Sequence, residues 1–229
     1  MAEHVVASTY KGDEGDAYFE GRGQDKLLHL GYHLQAAYYL PHLSRDMDVL
    51  DFGCGNGSMA AVIRDHVASI EGLEVNDKPR ELARETFGLT VHDKLDSIPD
   101  DRKYDAIVSN HVIEHVPYPI EMLRMLANRL KPGGKLVIMV PVEDFRAKRN
   151  IDWKAHDINR HLHTWAPLQF ANTLREAGLE PQVVNLVSSA WSHKLFFLGR
   201  GLLQSLAGRL LASVTKRRQI LAVAVRTKE

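Results

Sequence analysis

Nine consecutive residues, Val49-Leu50-Asp51-Phe52-Gly53-Cys54-Gly55-Asn56-Gly57, narrow the folds open to this chain more than any other stretch. The run DVLDF at 48–52 is apolar but too short for a buried helix, and glycines follow it at 53, 55 and 57. Residues 58–66 then take up helical periodicity. A strand that leaves through a tight glycine turn into a helix opens a βαβ unit, and such sheets bind ligands at the carboxyl edge of their strands. The rest of the chain agrees. Residues 67–75, 104–109 and 135–140 are short apolar segments bounded by turn signals, as expected of parallel strands buried on both faces. Helices are predicted at 79–87 and 120–130, the second stopped by Lys131-Pro132-Gly133-Gly134. An earlier helix is predicted over 24–40, a later one over 167–177 closed by Gly178, and strands at 182–187 and 220–225. The pattern predicts one α/β domain over 1–229, with a helical cap at 1–47, a ligand-binding core at 48–141, and loops, a helical insertion at about 192–215 and final strands within 142–229.

The glycine turn also says what it should bind. A dinucleotide fingerprint needs glycines at the first, third and sixth turn positions, and the sixth here is Ser58. Asp51 stands two residues before Gly53, where its carboxylate would repel a pyrophosphate and attract a cation. S-adenosylmethionine, with an ammonium, a sulfonium and no phosphate, meets that requirement. Gly53 and Gly55 let backbone approach the ligand without a Cβ clash, and Cys54 is a small residue of the same turn with no redox role. A second acid should end the second strand and hold the ribose hydroxyls. Glu74 lies 23 residues after Asp51, near the expected spacing of about 20, with Val75 beside it for the adenine face. Asp77 is the rival, though it lies beyond the apolar run and suits a helix cap.

Through this stretch and the Lys131-Pro132-Gly133-Gly134-Lys135 turn, the chain resembles the class I S-adenosylmethionine-dependent methyltransferases, of the small-molecule and ubiquinone-pathway type. The likeness covers about 49–141, with a softer echo at 158–178 around Asn159-Arg160-His161-Leu162-His163-Thr164-Trp165. It implies a doubly wound, Rossmann-like α/β fold: a mostly parallel seven-stranded sheet of order 3-2-1-4-5-7-6 with the last strand antiparallel. By resemblance, Asp51, Gly53 and Gly55 belong to the first cofactor motif and Glu74 is the ribose acid. The adenine-contacting segment is then 93–99, which departs from the family pattern in having Lys94 at the usual acid. Asp93 or the backbone of Leu95 is expected to take over that contact.

Strand four ends in Ser109-Asn110-His111-Val112-Ile113-Glu114-His115-Val116, where the reactive methyl should emerge beside Asn110. It is not the Asn-Pro-Pro-Tyr type of motif that amino-directed nucleic-acid base methyltransferases carry. His111 and His115, four apart, share a face if the segment is helical. Three readings are open. A histidine, His115 or His111, serves as base with Glu114 holding its tautomer. Alternatively the trio binds a divalent metal, since the segment resembles the Glu-x-x-Glu-His motif of ubiquinone-pathway and small-RNA 2′-O-methyltransferases with His111 at the first glutamate; hard-metal binding would be weaker for that change. In the third, which the resemblance favours, Glu114-His115 is structural, and no metal is assigned. His156, His161 and His163, with Trp153, Asp157 and Trp165, are expected to line an acceptor pocket, and Tyr18 and Phe19 to cover the cofactor or simply pack.

Composition excludes several classes. One cysteine in 229 residues excludes a disulfide framework and a zinc ribbon and fits a reducing, cytoplasmic setting. Residues 1–10 carry Glu3 and no apolar signal region, and no long uncharged apolar run spans a bilayer. The 29 basic and 29 acidic groups balance, which disfavours a generic DNA partner. The balance conceals an asymmetry: residues 190–229 hold eight basic side chains and one acid, so the remainder is acidic. Within that tail Leu195, Leu198, Leu202, Leu206 and Leu210 recur at near-helical spacing, followed by Lys216-Arg217-Arg218. The segment 192–218 is read either as an interfacial helix touching membrane or a lipid-linked acceptor, or as an insertion packed on the sheet edge, as a lid or in a homodimer contact. The expected activity is methyl transfer to a small or lipid-linked acceptor at oxygen. The alternatives are a terminal ribose of RNA, or a silent subunit that only binds the cofactor.

Overall fold

The computed structural model describes residues 12, 15, 26–142, 153, 157, 160–188, 193–198, 202–214 and 218–227. Seven strands form one sheet: β1 (Asp48–Phe52), β2 (Ser69–Leu73), β3 (Val91–His92), β4 (Tyr104–Asn110), β5 (Leu130–Pro141), β6 (Leu179–Ser188) and β7 (Arg218–Arg226), in the order β3-β2-β1-β4-β5-β7-β6. Strands β1 to β5 pair in parallel, and β7 runs antiparallel to both β5 and β6. This is the expected topology.

Both faces of the sheet are covered, and the pleat decides which residue joins which layer. Leu50, Ile107, Leu136, Ile138 and Ala222 point to one layer, built with Leu123 and Leu126 of α4 (Pro119–Arg129) and Phe170 and Leu174 of α5 (Pro167–Glu176). Their neighbours Val49, Val108, Val137, Met139 and Leu221 point to the other. There they meet Ala36 of α1 (Lys26–Ala36), Met59 and Ile63 of α2 (Ser58–Arg64) and Ala83 of α3 (Asp77–Phe87). The last helix, α6 (Leu202–Val214), lies between β6 and β7 in sequence.

Several boundaries differ from the sequence expectations. The helix predicted over 24–40 ends at Ala36, and the chain then turns through a single 3₁₀ turn, Leu40–His42, where Pro41 sets the backbone. The cap of α3 is Asn76, whose side chain accepts the Lys78 N–H at 3.1 Å; Asp77 is already helical. Lys131-Pro132-Gly133-Gly134 does not simply stop a helix before a strand. Leu130 pairs with Tyr104 and Lys135 with Ala106, so these four residues bulge out of an otherwise continuous β5. The two-residue β3 was missed by pattern reading, being too short to show alternation, and entered only through the family topology.

Candidate functional site

The carboxyl ends of β1, β2 and β4 converge on the glycine turn. Gly53, Gly55 and Gly57 all have positive φ, at 75°, 54° and 76°. The N–H groups of Gly53 and Cys54 both donate to the Leu73 carbonyl, at 2.8 and 3.0 Å, which ties the turn to the end of β2. A Cβ on Gly53 would stand 2.3 Å from a Val112 methyl, so the turn after β1 and the turn after β4 are in direct contact. Cys54 turns away from the turn's mouth. Its sulfur packs on Gly72, where a Cβ would meet it at 2.6 Å, and burial pushes the thiol well above its ordinary range. Cys54 can therefore offer a ligand backbone only.

Asp51, at 1% exposure, is the most unusual group of the site. Neither carboxylate oxygen has a hydrogen-bond partner among the described residues. Burial, with the charge of Glu74 adding to it, pushes its carboxyl up to about 7. Glu74 is also buried, but its oxygens are engaged: one accepts the Gly55 N–H at 3.0 Å, the other the Asn76 N–H at 2.9 Å. Burial still raises its carboxyl above the ordinary value, because those backbone bonds only partly offset it. A carboxylate accepts about four hydrogen bonds, so each oxygen keeps capacity for another. Val75 is half-buried against the core. Asp93 is exposed, with a bond from Ser97 holding its carboxyl below the ordinary range. Leu95 is buried, and its carbonyl is taken by Ile98 N–H and the Arg129 guanidinium at 3.2 and 3.0 Å.

Beyond β4 the expected helical face does not form. His111 sits in the left-handed region at φ 55°, and only one 3₁₀ turn, Ile113–His115, follows. The two histidines are brought near each other through Glu114 instead. This fully buried carboxylate lies 3.3 Å from His111 Nδ1 and 3.8 Å from His115 Nε2. Burial alone would raise Glu114; the His111 hydrogen bond and the charges of both histidines more than offset it and hold it low. His111 Nε2 also lies 2.9 Å from Gln219 Oε1.

His161, 46 residues beyond His115 in sequence, lies beside it in space. The Glu114 carbonyl accepts the N–H groups of Leu162 and His163 at 2.9 and 3.1 Å, which staples the segment before α5 onto the turn after β4. The His161 ring then stands edge-on to His115, centroids 5.0 Å apart. One ligand-type atom each from Glu114, His115 and His161 lie within 4.8 Å of one another. The other members of the expected acceptor pocket part company. Trp165 is buried on Phe170 as core, His163 stacks on Trp165, and Trp153 is 87% exposed. His156, Tyr18 and Phe19 lie outside the described residues.

Three contributors escaped the sequence reading. Gln35 Nε2 donates to Asn110 Oδ1 at 2.6 Å, and the Tyr39 hydroxyl lies 2.9 Å from the Ser109 carbonyl and 3.1 Å from Asn110 Oδ1. With its oxygen engaged by these donors, the Asn110 carboxamide is held in one orientation. Burial and the charges of Asp51 and Glu114 push the Tyr39 phenol well up. The third is Gln219. No local signal marks any of them; they are ordinary helix, turn and strand residues 70 to 108 positions from their partners.

Comparison with known proteins adds three findings. A family model described as Methyltransferase domain matches residues 29–184. A "Ubiquinone biosynthesis O-methyltransferase" of Nitrosospira multiformis is 27% identical over 169 residues, covering 67% of this chain and 71% of its own length. The protein of that name from Coxiella burnetii is 27% identical over 143 residues, and the match spans 61% of its length. Among solved structures, the Burkholderia thailandensis 1,6-didemethyltoxoflavin-N1-methyltransferase, with bound 1,6-didemethyltoxoflavin and S-adenosylhomocysteine, superposes with a TM-score of 0.66. It is 16% identical and the match covers 94% of this chain and 86% of that one.

Proposed function

This chain belongs to the methyltransferase-domain family, class I and S-adenosylmethionine-dependent, and from that premise we propose that it methylates an oxygen of a small or medium-sized acceptor. A sugar, a lipid-linked intermediate or a natural-product hydroxyl is the acceptor class. The observation that carries this reading is the meeting of Glu114, His115 and His161 within 4.8 Å, hard against the glycine turn through Val112. A hydroxyl, unlike an amine with a free lone pair, has a proton to lose, and such a cluster handles it. The names of the ubiquinone-pathway relatives point the same way.

The residues present fit S-adenosylmethionine. Two buried, unpartnered oxygens of Asp51 call for cationic donors, and the left-handed glycines beside them leave room for backbone approach. In this reading Asp51 accepts from the amino group, Gly53, Cys54 and Gly55 contribute backbone, and the free capacity of Glu74 takes the ribose hydroxyls. Val75, Asp93 and Leu95 flank the adenine, and Asn110, clamped by Gln35 and Tyr39, presents its NH₂. The cofactor supplies the methyl on a sulfonium and carries the leaving group. The protein aligns the reactants and excludes water. His115, almost buried and beside Glu114, takes the acceptor proton, with His111 on the same carboxylate.

The spacing of the three ligand-type atoms favours a second reading, in which Glu114, His115 and His161 hold a divalent cation that orients the acceptor oxygens. A labelled-methyl assay over candidate acceptors separates the two. Loss of turnover by about 10²–10⁴-fold in His115→Ala with no effect of chelation supports the base. Loss on chelation with recovery on adding magnesium or zinc supports the cation. Wild-type turnover under both treatments sinks both roles.

A further inference from the structure

Helix α6 is packed the wrong way round for a helix facing water. Among its described side chains Gln204 and Gly208 are the buried positions, whereas Leu202, Leu203, Leu210 and Val214 are 69–76% exposed and Leu206 is 53% exposed. Phe197, in the 3₁₀ turn His193–Leu198 packed against α6, is exposed at 79%. The Gln204 amide, turned inward, has no hydrogen-bond partner among the described residues. An ordinary surface helix buries its leucines and shows its amides. Here a contiguous aliphatic face larger than scattered surface leucines looks outward.

The charge around that face selects what covers it. Arg209 is exposed on α6 itself, and Arg218 is exposed where the basic run Lys216-Arg217-Arg218 enters β7. From residue 190 onward eight basic side chains meet a single acid, Glu229. A two-fold dimer through α6 would bring the exposed Arg209 of each copy to the same interface with no acid on the helix to meet it. An anionic lipid surface supplies both the apolar layer and the opposite charge. Thirteen residues make about 20 Å of helix, too short to span a bilayer, and among the described residues no helix is long and apolar enough to cross a membrane. A helix of this kind lies in the interface plane.

We infer that the outward face of α6, with Phe197 and the exposed Arg209, docks the enzyme onto an anionic lipid surface. The same segment flanks the cofactor side of the fold: the 3₁₀ turn packs on α1, the helix that carries Gln35 beside Asn110. Docking there brings the candidate site to the membrane, whichever acceptor it serves.

The test is co-sedimentation of the full chain with vesicles of phosphatidylcholine alone or mixed with phosphatidylglycerol. Expected is binding at least tenfold tighter to the anionic vesicles and weakening with salt. The double variant Leu206→Glu, Leu210→Glu should lose it while keeping its thermal unfolding and S-adenosylhomocysteine affinity. Arg209→Glu should weaken it severalfold, which tests the charge without touching the leucines. Failure of the wild type to bind anionic vesicles overturns the inference, as does equal binding by the double variant. So does a wild-type dimer in ultracentrifugation that Leu206→Glu dissolves, since a second copy would then be what covers the face.

Discussion

Asp51 is a carboxylate held without partners in a place where a partner must come. Its carboxyl sits at about 7 in the fold against an ordinary 3.8, so the folded state holds a proton that the unfolded chain releases. A raised carboxyl contributes stability that is complete below the unfolded value and lost as pH rises through the folded one. The ligand-free protein should therefore lose up to about 1.4 kcal/mol per pH unit between those limits from this group. A cationic ligand needs the ionised form, so S-adenosylhomocysteine affinity should climb over the same range, and calorimetry between pH 5.5 and 8.5 reads it. Asp51→Asn should raise the unfolding free energy of the ligand-free protein while flattening that pH dependence and weakening binding. A variant that binds like wild type would mean the carboxylate is not the cation's partner. Gly53 faces a different constraint. Gly53→Ala meets both a positive φ and a Val112 methyl, and should cost about 1–3 kcal/mol in chemical denaturation. Adding Val112→Ala should recover the steric part only.

The two ends of the strands do different work. At their carboxyl ends the turns after β1, β2 and β4 gather the partnerless acid, the left-handed backbone and the histidine cluster. At the amino ends the charges are matched. Glu71 of β2 accepts from Arg102, His92 and Tyr104 at 2.9, 2.8 and 3.0 Å, and Lys131 from the bulge of β5 bridges Asp48 and Asp105. Burial alone would raise Glu71, but His92, Arg102 and Tyr104 overcome it and hold its carboxyl low. A depressed carboxyl stabilises above its unfolded value, near 4.5, and that stability is lost as pH falls through the folded value. Glu71→Gln should lower the unfolding free energy by about 1–3 kcal/mol near neutrality and shift acid unfolding to higher pH, without changing cofactor affinity. The turn after the first helix has the opposite profile. Tyr39→Phe removes a hydroxyl from beneath Asn110, about 1 kcal/mol of stability. Through Asn110 it should lower kcat more than it raises KM; an equal change in both would mean that the phenol only packs.

Across the molecule, charge and apolar surface are distributed together, with the acidic bulk of the chain opposed to a basic, leucine-bearing final segment. Binding to the folded state alone should raise stability: saturation at about a hundred times Kd contributes roughly 2.7 kcal/mol, visible as a higher Tm. Much of this architecture is legible in the order of residues. Parallel strands buried on both faces read as bare apolar runs, and a glycine turn after the first of them marks the ligand edge, so β1, β4, the core of β5 and the Asp51-to-Gly57 motif could be placed directly. Those features are local, set by side chains a few residues apart. Long-range contacts decided the rest. The left-handed His111, the clamp of Gln35 and Tyr39 on Asn110, and the delivery of His161 to His115 by the Glu114 carbonyl each join segments tens of residues apart. The leucine periodicity over 192–215 announced a helix but neither its split into a 3₁₀ turn at His193–Leu198 and a helix at Leu202–Val214 nor its orientation. A 3.6-residue repeat sorts side chains onto faces, and only the surface that the helix packs against determines which face turns inward.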